Sequence, residues 1–285
     1  MGANHLNIVF NLVKLFTLIF IVILIFTSCK KDASKYPDAP NSFQQTLMIA
    51  HKAGGGSNNP NKENTLAAAA YGFDHLDGIE IDIQKSRDGT IWLYHDETIE
   101  THNDFIKRIP GLTDADIRKI ITDKHTDLNT LEELLEWKQK ANNTECISLD
   151  IKPWLPTRFS NTQGYLIELA DEVCRLAQKY NCNHQLMAEC ENAVCLKRFK
   201  EKDPSIACYL TTYGNYNQGV YRALKANFDG LSFKFENNNI SQSQIDELHN
   251  KGLKIQLWTI NNLEDINTVK LLRPDFIQTD NVLLK

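Results

Sequence analysis

Glu80-Ile81-Asp82 sets two carboxylates two residues apart, flanked by Ile79 and Ile83. On a β-strand this spacing points both carboxylates to one face and the isoleucines to the other. Two such groups buried together repel each other and lose hydration unless a cation lies between them. Oxygen-only ligands suit Mg²⁺ or Ca²⁺ rather than Zn²⁺. An exposed acidic strand face is the alternative reading of the pair. Further along, Asp150-Ile151-Lys152-Pro153 follows Ile147-Ser148-Leu149, so Asp150 and Lys152 share a face and join a carboxylate to a cation, or form a local salt bridge. His51 precedes Lys52-Ala53-Gly54-Gly55-Gly56. An imidazole beside a cation can meet an anionic substrate, although single strand-end histidines are more often structural. The three glycines bring backbone amides to a phosphate or, as the simpler reading, form a flexible loop. Glu63-Asn64-Thr65 has the composition of a helix N-terminal cap.

These residues fall at the ends of short β-type runs that alternate with helical patterns from residue 46 onward. The expected strands are Leu47–His51, Gly78–Gln84, Cys146–Ile151, Gln185–Glu189, Ile206–Thr211, Gly230–Phe233, Lys254–Thr259 and Phe276–Thr279. The expected helices are Glu63–Tyr71, Leu131–Lys140, Tyr165–Lys179, Val194–Phe199, Val220–Ala226, Ser243–Asn250 and Leu263–Leu272. Thr130 with Glu133 three residues later predicts a capping box before Leu131. Strands alternating with helices imply a parallel sheet. No Gly-x-Gly-x-x-Gly opens the first unit, which counts against a dinucleotide-binding fold. The fold expected is α/β, a single (β/α)₈ TIM barrel, whose chemistry sits at the C-terminal rim.

Thr90–His95 breaks the alternation. It follows Gly78–Gln84 too closely for a parallel return, so it predicts a β-hairpin projecting from the C-terminal rim, with Asp88-Gly89 in the turn. A turn centred near Arg87 brings His95 back beside Glu80.

The first residues differ in composition from this body. Apart from Thr17, Leu15–Phe26 is apolar throughout and ends in Phe26-Thr27-Ser28-Cys29. That length suits a signal-peptide core, and the small residues before Cys29 are similar to a bacterial lipobox, whose cysteine is lipidated. An uncleaved anchor over Leu6–Phe26 is the alternative. The expected organisation is a lipoprotein-type signal peptide over 1–28, a polar tether over 29–45 with Pro37 and Pro40, and the barrel over 46–285. Either reading exports the barrel to the cell envelope and ties it to a membrane. The mature chain of 257 residues is close to the roughly 250 of one barrel. With 42% hydrophobic and 24% charged residues the chain has ample core material, and disorder is excluded. A net charge of −5 without basic runs argues against nucleic acid as a partner. Six cysteines remain after Cys29, without metal-knuckle spacing, and buried thiols are expected for most.

Taken in order, His51-Lys52, Glu63-Asn64-Thr65, Glu80-x-Asp82, Asp88-Gly89, His95-Asp96 and Leu149-Asp150-Ile151-Lys152-Pro153 resemble the glycerophosphodiester phosphodiesterase family. Leu257-Trp258-Thr259-Ile260-Asn261 and Gln278-Thr279-Asp280 extend the resemblance over about residues 46–285. It implies a TIM barrel that hydrolyses glycerophosphodiesters to glycerol 3-phosphate and an alcohol with a divalent cation, Ca²⁺ or Mg²⁺. By that resemblance Glu80, Asp82 and Asp150 hold the metal, and His51 and His95 form the acid–base pair. Lys52 and Lys152 meet the phosphate, and Trp258 shapes the wall for the glycerol or leaving group. Glu189 is expected to join the polar rim at its strand end. The adjacent glycerol hydroxyl is the implied nucleophile, giving a cyclic phosphate that water opens. Three features depart from the family pattern. Lys52 stands for the usual Arg and lacks its bidentate fork. Asp150 stands for the usual Glu and is one methylene shorter. Asn58–Lys62 lengthens the loop before Glu63. Two other activities fit the same residues: phospholipase D-like cleavage of lysophospholipids, and binding of glycerophosphodiesters without hydrolysis.

Overall fold

The computed structural model describes residues 45–55, 58–101, 105–155, 161–236 and 240–284. The expected signal segment, the expected tether up to residue 44 and Cys29 lie outside the described residues. Among those described, no helix is long and apolar enough to cross a membrane.

Along the chain β1 (Leu47–Ala50) leads through a left-handed turn to α1 (Leu66–His75), then β2 (Gly78–Lys85), β3 (Ile91–Leu93), β4 (Ile99–Glu100) and β5 (Ile106–Lys107). Two helices follow, α2 (Asp114–Lys124) and α3 (Leu131–Lys140). Regular alternation then resumes: β6 (Cys146–Ile151), α4 (Thr162–Lys179), β7 (Leu186–Cys190), α5 (Ala193–Lys202), β8 (Ala207–Thr212) and α6 (Tyr216–Ala226). The chain ends with β9 (Gly230–Lys234), α7 (Gln242–Asn250), β10 (Lys254–Trp258), α8 (Leu263–Leu271) and β11 (Phe276–Thr279). Strands β1, β2, β6, β7, β8, β9, β10 and β11 are parallel neighbours in that order, and β11 pairs back onto β1. The sheet is therefore a closed eight-stranded barrel, as the alternation predicts.

The strand period of two divides the side chains between the barrel interior and the ring of helices. Ile79, Ile81, Ile83, Ile147, Leu149, Leu231, Phe233, Ile255 and Leu257 join the large apolar cluster packed with the helices. The alternate residues, among them Glu80, Asp82, Ser148, Asp150, Ser232, Gln256 and Gln278, fill the interior. The predicted signal at Thr130 starts α3 at Leu131. Thr130 Oγ1 accepts from Glu133 N at 3.2 Å, and Glu133 Oε2 accepts from Thr130 N at 2.7 Å, completing the expected box. Helix α2 is capped in the same way by Thr113 and Asp116.

The hairpin forms, but in a different register. Ile83 pairs with Leu93, Gln84 with Trp92 and Lys85 with Ile91. The loop is centred on Asp88 instead of Arg87, because Gly89 adopts φ +99° and Ser86 N donates to Thr90 O at 2.9 Å. A glycine in this position closes the three-residue hairpin loop. Tyr94 N consequently donates to Asp82 O, and His95 does not lie beside Glu80 on the ladder. The insertion from β3 to α2 has its own core of Trp92, Ile99, Ile109, Leu112, Ile117, Ile120 and Leu128. Trp92 Nε1 anchors it by donating to Asp114 Oδ1 at 3.0 Å. Cys146, Cys174, Cys182, Cys190, Cys195 and Cys208 are free thiols, all but Cys146 buried, as expected.

Candidate active site

Parallel pairing of β2 with β6 sets Glu80 level with Ser148 and Asp82 level with Asp150. Since each of these positions faces inward, the carboxylates of Glu80, Asp82 and Asp150 converge, each with a ligand oxygen within 4.8 Å of the others. Glu80 and Asp82 are each only 1% exposed. Lys52 N donates to Glu80 Oε2 at 2.7 Å, whereas Glu80 Oε1 is buried and has no hydrogen-bond partner among the described residues. Burial, with Asp82, Glu189 and Asp150 nearby, holds the Glu80 carboxyl well above the usual carboxylate range. Burial and Asp82 likewise raise Asp150. For Asp82 burial is outweighed by Lys152, His95 and His51, and its carboxyl is lowered.

The Lys152 ammonium lies 2.9 Å from Asp82 Oδ1 and 2.7 Å from Asp150 Oδ2. Burial disfavours its charge, but Asp150 and Asp82 prevail and hold it above the ordinary lysine range. One ammonium thus faces two buried carboxylates and the half-buried one of Asp150, and among the described residues one carboxylate oxygen has no hydrogen-bond partner. This all-oxygen, electron-rich donor set fits a hard divalent cation.

His51 follows β1 directly, and its Nδ1 lies 2.7 Å from Asp280 Oδ1, just beyond β11. Asn261, after β10, holds that carboxylate from the other side: its Nδ2 donates to Asp280 Oδ2 at 2.6 Å, and Asp280 N donates to Asn261 Oδ1 at 2.8 Å. Although burial raises Asp280, the bonds from His51 and Asn261 lower it further, so it stays a carboxylate. An ionised Asp280 can only accept in this bond, so Nδ1 carries the proton, and His51 Nε2 lies 3.8 Å from Glu80 Oε2.

Lys52 and Ala53 have φ of 51° and 61°, and Gly54 continues the left-handed path at φ 84°. This turn aims the Lys52 amide at Glu80, while the Lys52 ammonium lies 3.6 Å from Glu63 Oε1. A Cβ at Gly54 would come within 2.4 Å of Val282 Cγ1, and one at Gly55 within 2.0 Å of Glu63 Cβ. Gly54 and Gly55 are therefore packed turn residues, which corrects the flexible-loop reading; Gly56 lies outside the described residues. Asn64 also departs from its expected capping role. Thr65 is the N-cap of α1, and Asn64, left-handed at φ 56°, turns inward. Its Nδ2 donates to Asp82 Oδ2 at 2.9 Å, and its Oδ1 accepts from Asp82 N at 3.0 Å.

His95 lies past the end of β3, held by its backbone. Gln84 Nε2 donates to Tyr94 O at 3.0 Å and to Asp96 O at 2.9 Å, and Trp154 Nε1 donates to His95 O at 3.2 Å. The ring keeps Nδ1 within 2.9 Å of Asp96 Oδ1 and is near enough to Asp82 to help lower its carboxyl. Trp258 ends β10 on the inner face, and the exposed ring of Tyr213 meets it edge to face at 5.7 Å. Tyr213 was not singled out in the sequence.

Glu189 is placed otherwise than expected. It lies inside the barrel, 2% exposed, not on the polar rim. Ser148 Oγ and Gln278 Nε2 donate to its Oε1 at 2.8 and 3.0 Å, and Ser232 Oγ and Gln256 Nε2 donate to its Oε2. Burial and Asp150 push its carboxyl up to about 7.

A family model described as the glycerophosphoryl diester phosphodiesterase family matches residues 51–284. A glycerophosphodiester phosphodiesterase of Caldanaerobacter subterraneus is 25% identical over 246 residues, covering 83% of this chain and 95% of that protein. Among solved structures, a glycerophosphodiester phosphodiesterase from Parabacteroides distasonis superposes with a TM-score of 0.69 at 17% identity, over 84% of this chain and 94% of that one. An Oleispira antarctica phosphodiesterase in complex with its product sn-glycerol-3-phosphate gives 0.67 at 20% identity, over 84% and 94%. At these identities the structural matches speak for the barrel fold.

Proposed function

Because the chain belongs to the glycerophosphoryl diester phosphodiesterase family and is thus a phosphoric diester hydrolase, we propose that it cleaves glycerophosphodiesters to glycerol 3-phosphate and an alcohol, using a divalent cation and two histidines. The observation that carries the reading is the convergence of Glu80, Asp82 and Asp150 around the unpartnered Glu80 Oε1. Those three residues would hold the cation, which supplies positive charge to polarise a phosphate oxygen.

The remaining steps belong to the side chains. Lys52 and Lys152 offset the charge that develops on the phosphoryl oxygens. One of His51 and His95 takes the proton of the attacking oxygen, and the other returns a proton to the departing alkoxide. Asp280 keeps the Nδ1 proton of His51 in place, so that Nε2 exchanges protons with the substrate. The Trp258 wall, extended by Tyr213, packs against an alcohol portion. The Oleispira protein, solved with sn-glycerol-3-phosphate, supports a substrate of this class. We further propose that residues 1–28 direct export and that a lipidated Cys29 tethers the barrel to the cell envelope. The apolar run and the small residues before Cys29 support this.

The test uses full-length protein in detergent, incubated with glycerophosphocholine or glycerophosphoethanolamine. Glycerol 3-phosphate release that stops with EDTA and returns with Ca²⁺ or Mg²⁺ is expected. No release from folded protein with either cation would overturn the reading.

A further inference from the structure

Glu189 is a buried titratable group for which the proposed reaction has no use. Barrel interiors of this type are usually filled with branched apolar side chains. Here one carboxylate ties four other strands to β7: Ser148 on β6, Ser232 on β9, Gln256 on β10 and Gln278 on β11 all donate to it. Gln256 Nε2 also donates to Ser148 Oγ at 3.3 Å, which leaves the Ser148 proton directed at Glu189. Two donors on each oxygen is the pattern of an ionised carboxylate. Occupied in this way, neither oxygen is free to turn toward the rim and ligate a cation.

Among the described residues Glu189 makes no ion pair. It is in register with Asp150 on the neighbouring strand, about 4.8 Å away along the sheet. Among the described residues four inward carboxylates, Glu80, Asp82, Asp150 and Glu189, therefore gather on the side of the barrel where Lys152 pairs with Asp82 and Asp150. An apolar residue would fill the interior at lower desolvation cost. Burial and Asp150 work against a negative charge here, so the carboxylate gains a physical role when positive charge arrives beside it.

We infer that Glu189 is a positioning residue for the cation, a buried charge in register with Asp150 that strengthens cation binding without ligating. The inference rests on reading that cluster as the cation site. Coulombic attraction across several ångströms of poorly screened interior is large enough for its loss to weaken binding at least ~10-fold.

The test is calorimetric titration of chelator-stripped, full-length protein with Ca²⁺ and with Mg²⁺. Glu189→Gln is expected to raise the dissociation constant at least ~10-fold. Ser232→Ala, which removes a donor but keeps the charge, should bind as the wild type does. The exchange Glu189→Gln/Gln256→Glu, which returns the charge to the same hydrogen-bonded layer, should recover the affinity. Wild-type affinity in Glu189→Gln would overturn the inference, as would equal weakening in Glu189→Gln and Ser232→Ala. Should Glu189→Gln alone fail to fold, the exchange variant decides, and weak binding by it counts against the inference. A wild-type protein that binds neither cation instead refutes the cation site itself.

Discussion

His51 and Asp280, 229 residues apart in the chain, share a 2.7 Å hydrogen bond across the seam where the last strand of the barrel meets the first. The pair exists only because β11 lies against β1, with Ala50 level with Thr279. Barrel closure thereby completes the imidazole's surroundings: an acceptor for Nδ1 on one side and the acidic cluster on the other.

Asp280→Asn should keep the barrel folded, yet remove the charge that holds the Nδ1 proton. Turnover is expected to fall by about 100-fold or more, with a smaller change in KM, as for other residues that orient a catalytic imidazole. Steady-state kinetics with circular dichroism on the same sample checks this, and turnover near the wild-type rate would contradict the pairing's role.

Alanine in place of either histidine should cut turnover at least ~100-fold while leaving cation affinity in place. Kinetics combined with calorimetric titration separates proton transfer from metal binding. A variant that loses both has been damaged more widely.

Asn64 holds Asp82 through two hydrogen bonds while adopting a left-handed backbone. Asn64→Gly removes the amide and relieves the backbone cost, so stability should change little. Cation affinity should drop by about 10- to 100-fold, the usual effect of removing a partner that orients a ligand. Unchanged affinity would mean that Asp82 is held well enough by Lys152.

The carboxyls of Glu80 and Asp150 are raised, and that of Glu189 is raised from 4.5 to about 7. Each binds a proton in the folded state that the unfolded chain has already released. Their contribution to stability is therefore complete at low pH and is lost as pH rises through the folded values. A cation competes with those protons, so the gain in Tm on adding saturating Ca²⁺ or Mg²⁺ should grow between pH 4.5 and about 7. Thermal melts across that range with EDTA or with cation measure it, and a gain independent of pH would exclude proton competition.

Gly54→Ala combines a left-handed φ of 84° with a Cβ 2.4 Å from Val282 Cγ1. It should cost about 2 kcal/mol or more and draw the Lys52 amide away from Glu80. A lowered Tm together with reduced activity is expected, and a melt at the wild-type Tm would show that the turn can relax.

Much of this protein is readable from residue order. The inward carboxylates follow from a period of two around Glu80-Ile81-Asp82, and the capping box at Thr130 from four consecutive residues. Helix α2 carries a similar signal, Thr113 and Asp116 before Ile117 and Ile120, hidden by its place in an insertion that interrupts the βα alternation. Asp280 was visible as part of Gln278-Thr279-Asp280, but nothing local links it to His51. Asn64 gave the same local signal as an ordinary cap, and only its left-handed φ turns the amide toward Asp82.

Residue order alone sets the alternation of strands and helices, the shared face of Glu80 and Asp82 and the chemical types at the strand ends. Those depend on short-range spacing, which a strand or helix converts directly into a face. The hairpin register that moves His95 off Glu80, the burial of Glu189 and the meeting of His51 with Asp280 come from the assembled barrel. Such features depend on how strands slide past one another and where the sheet closes, and that offset is set by packing across the whole barrel.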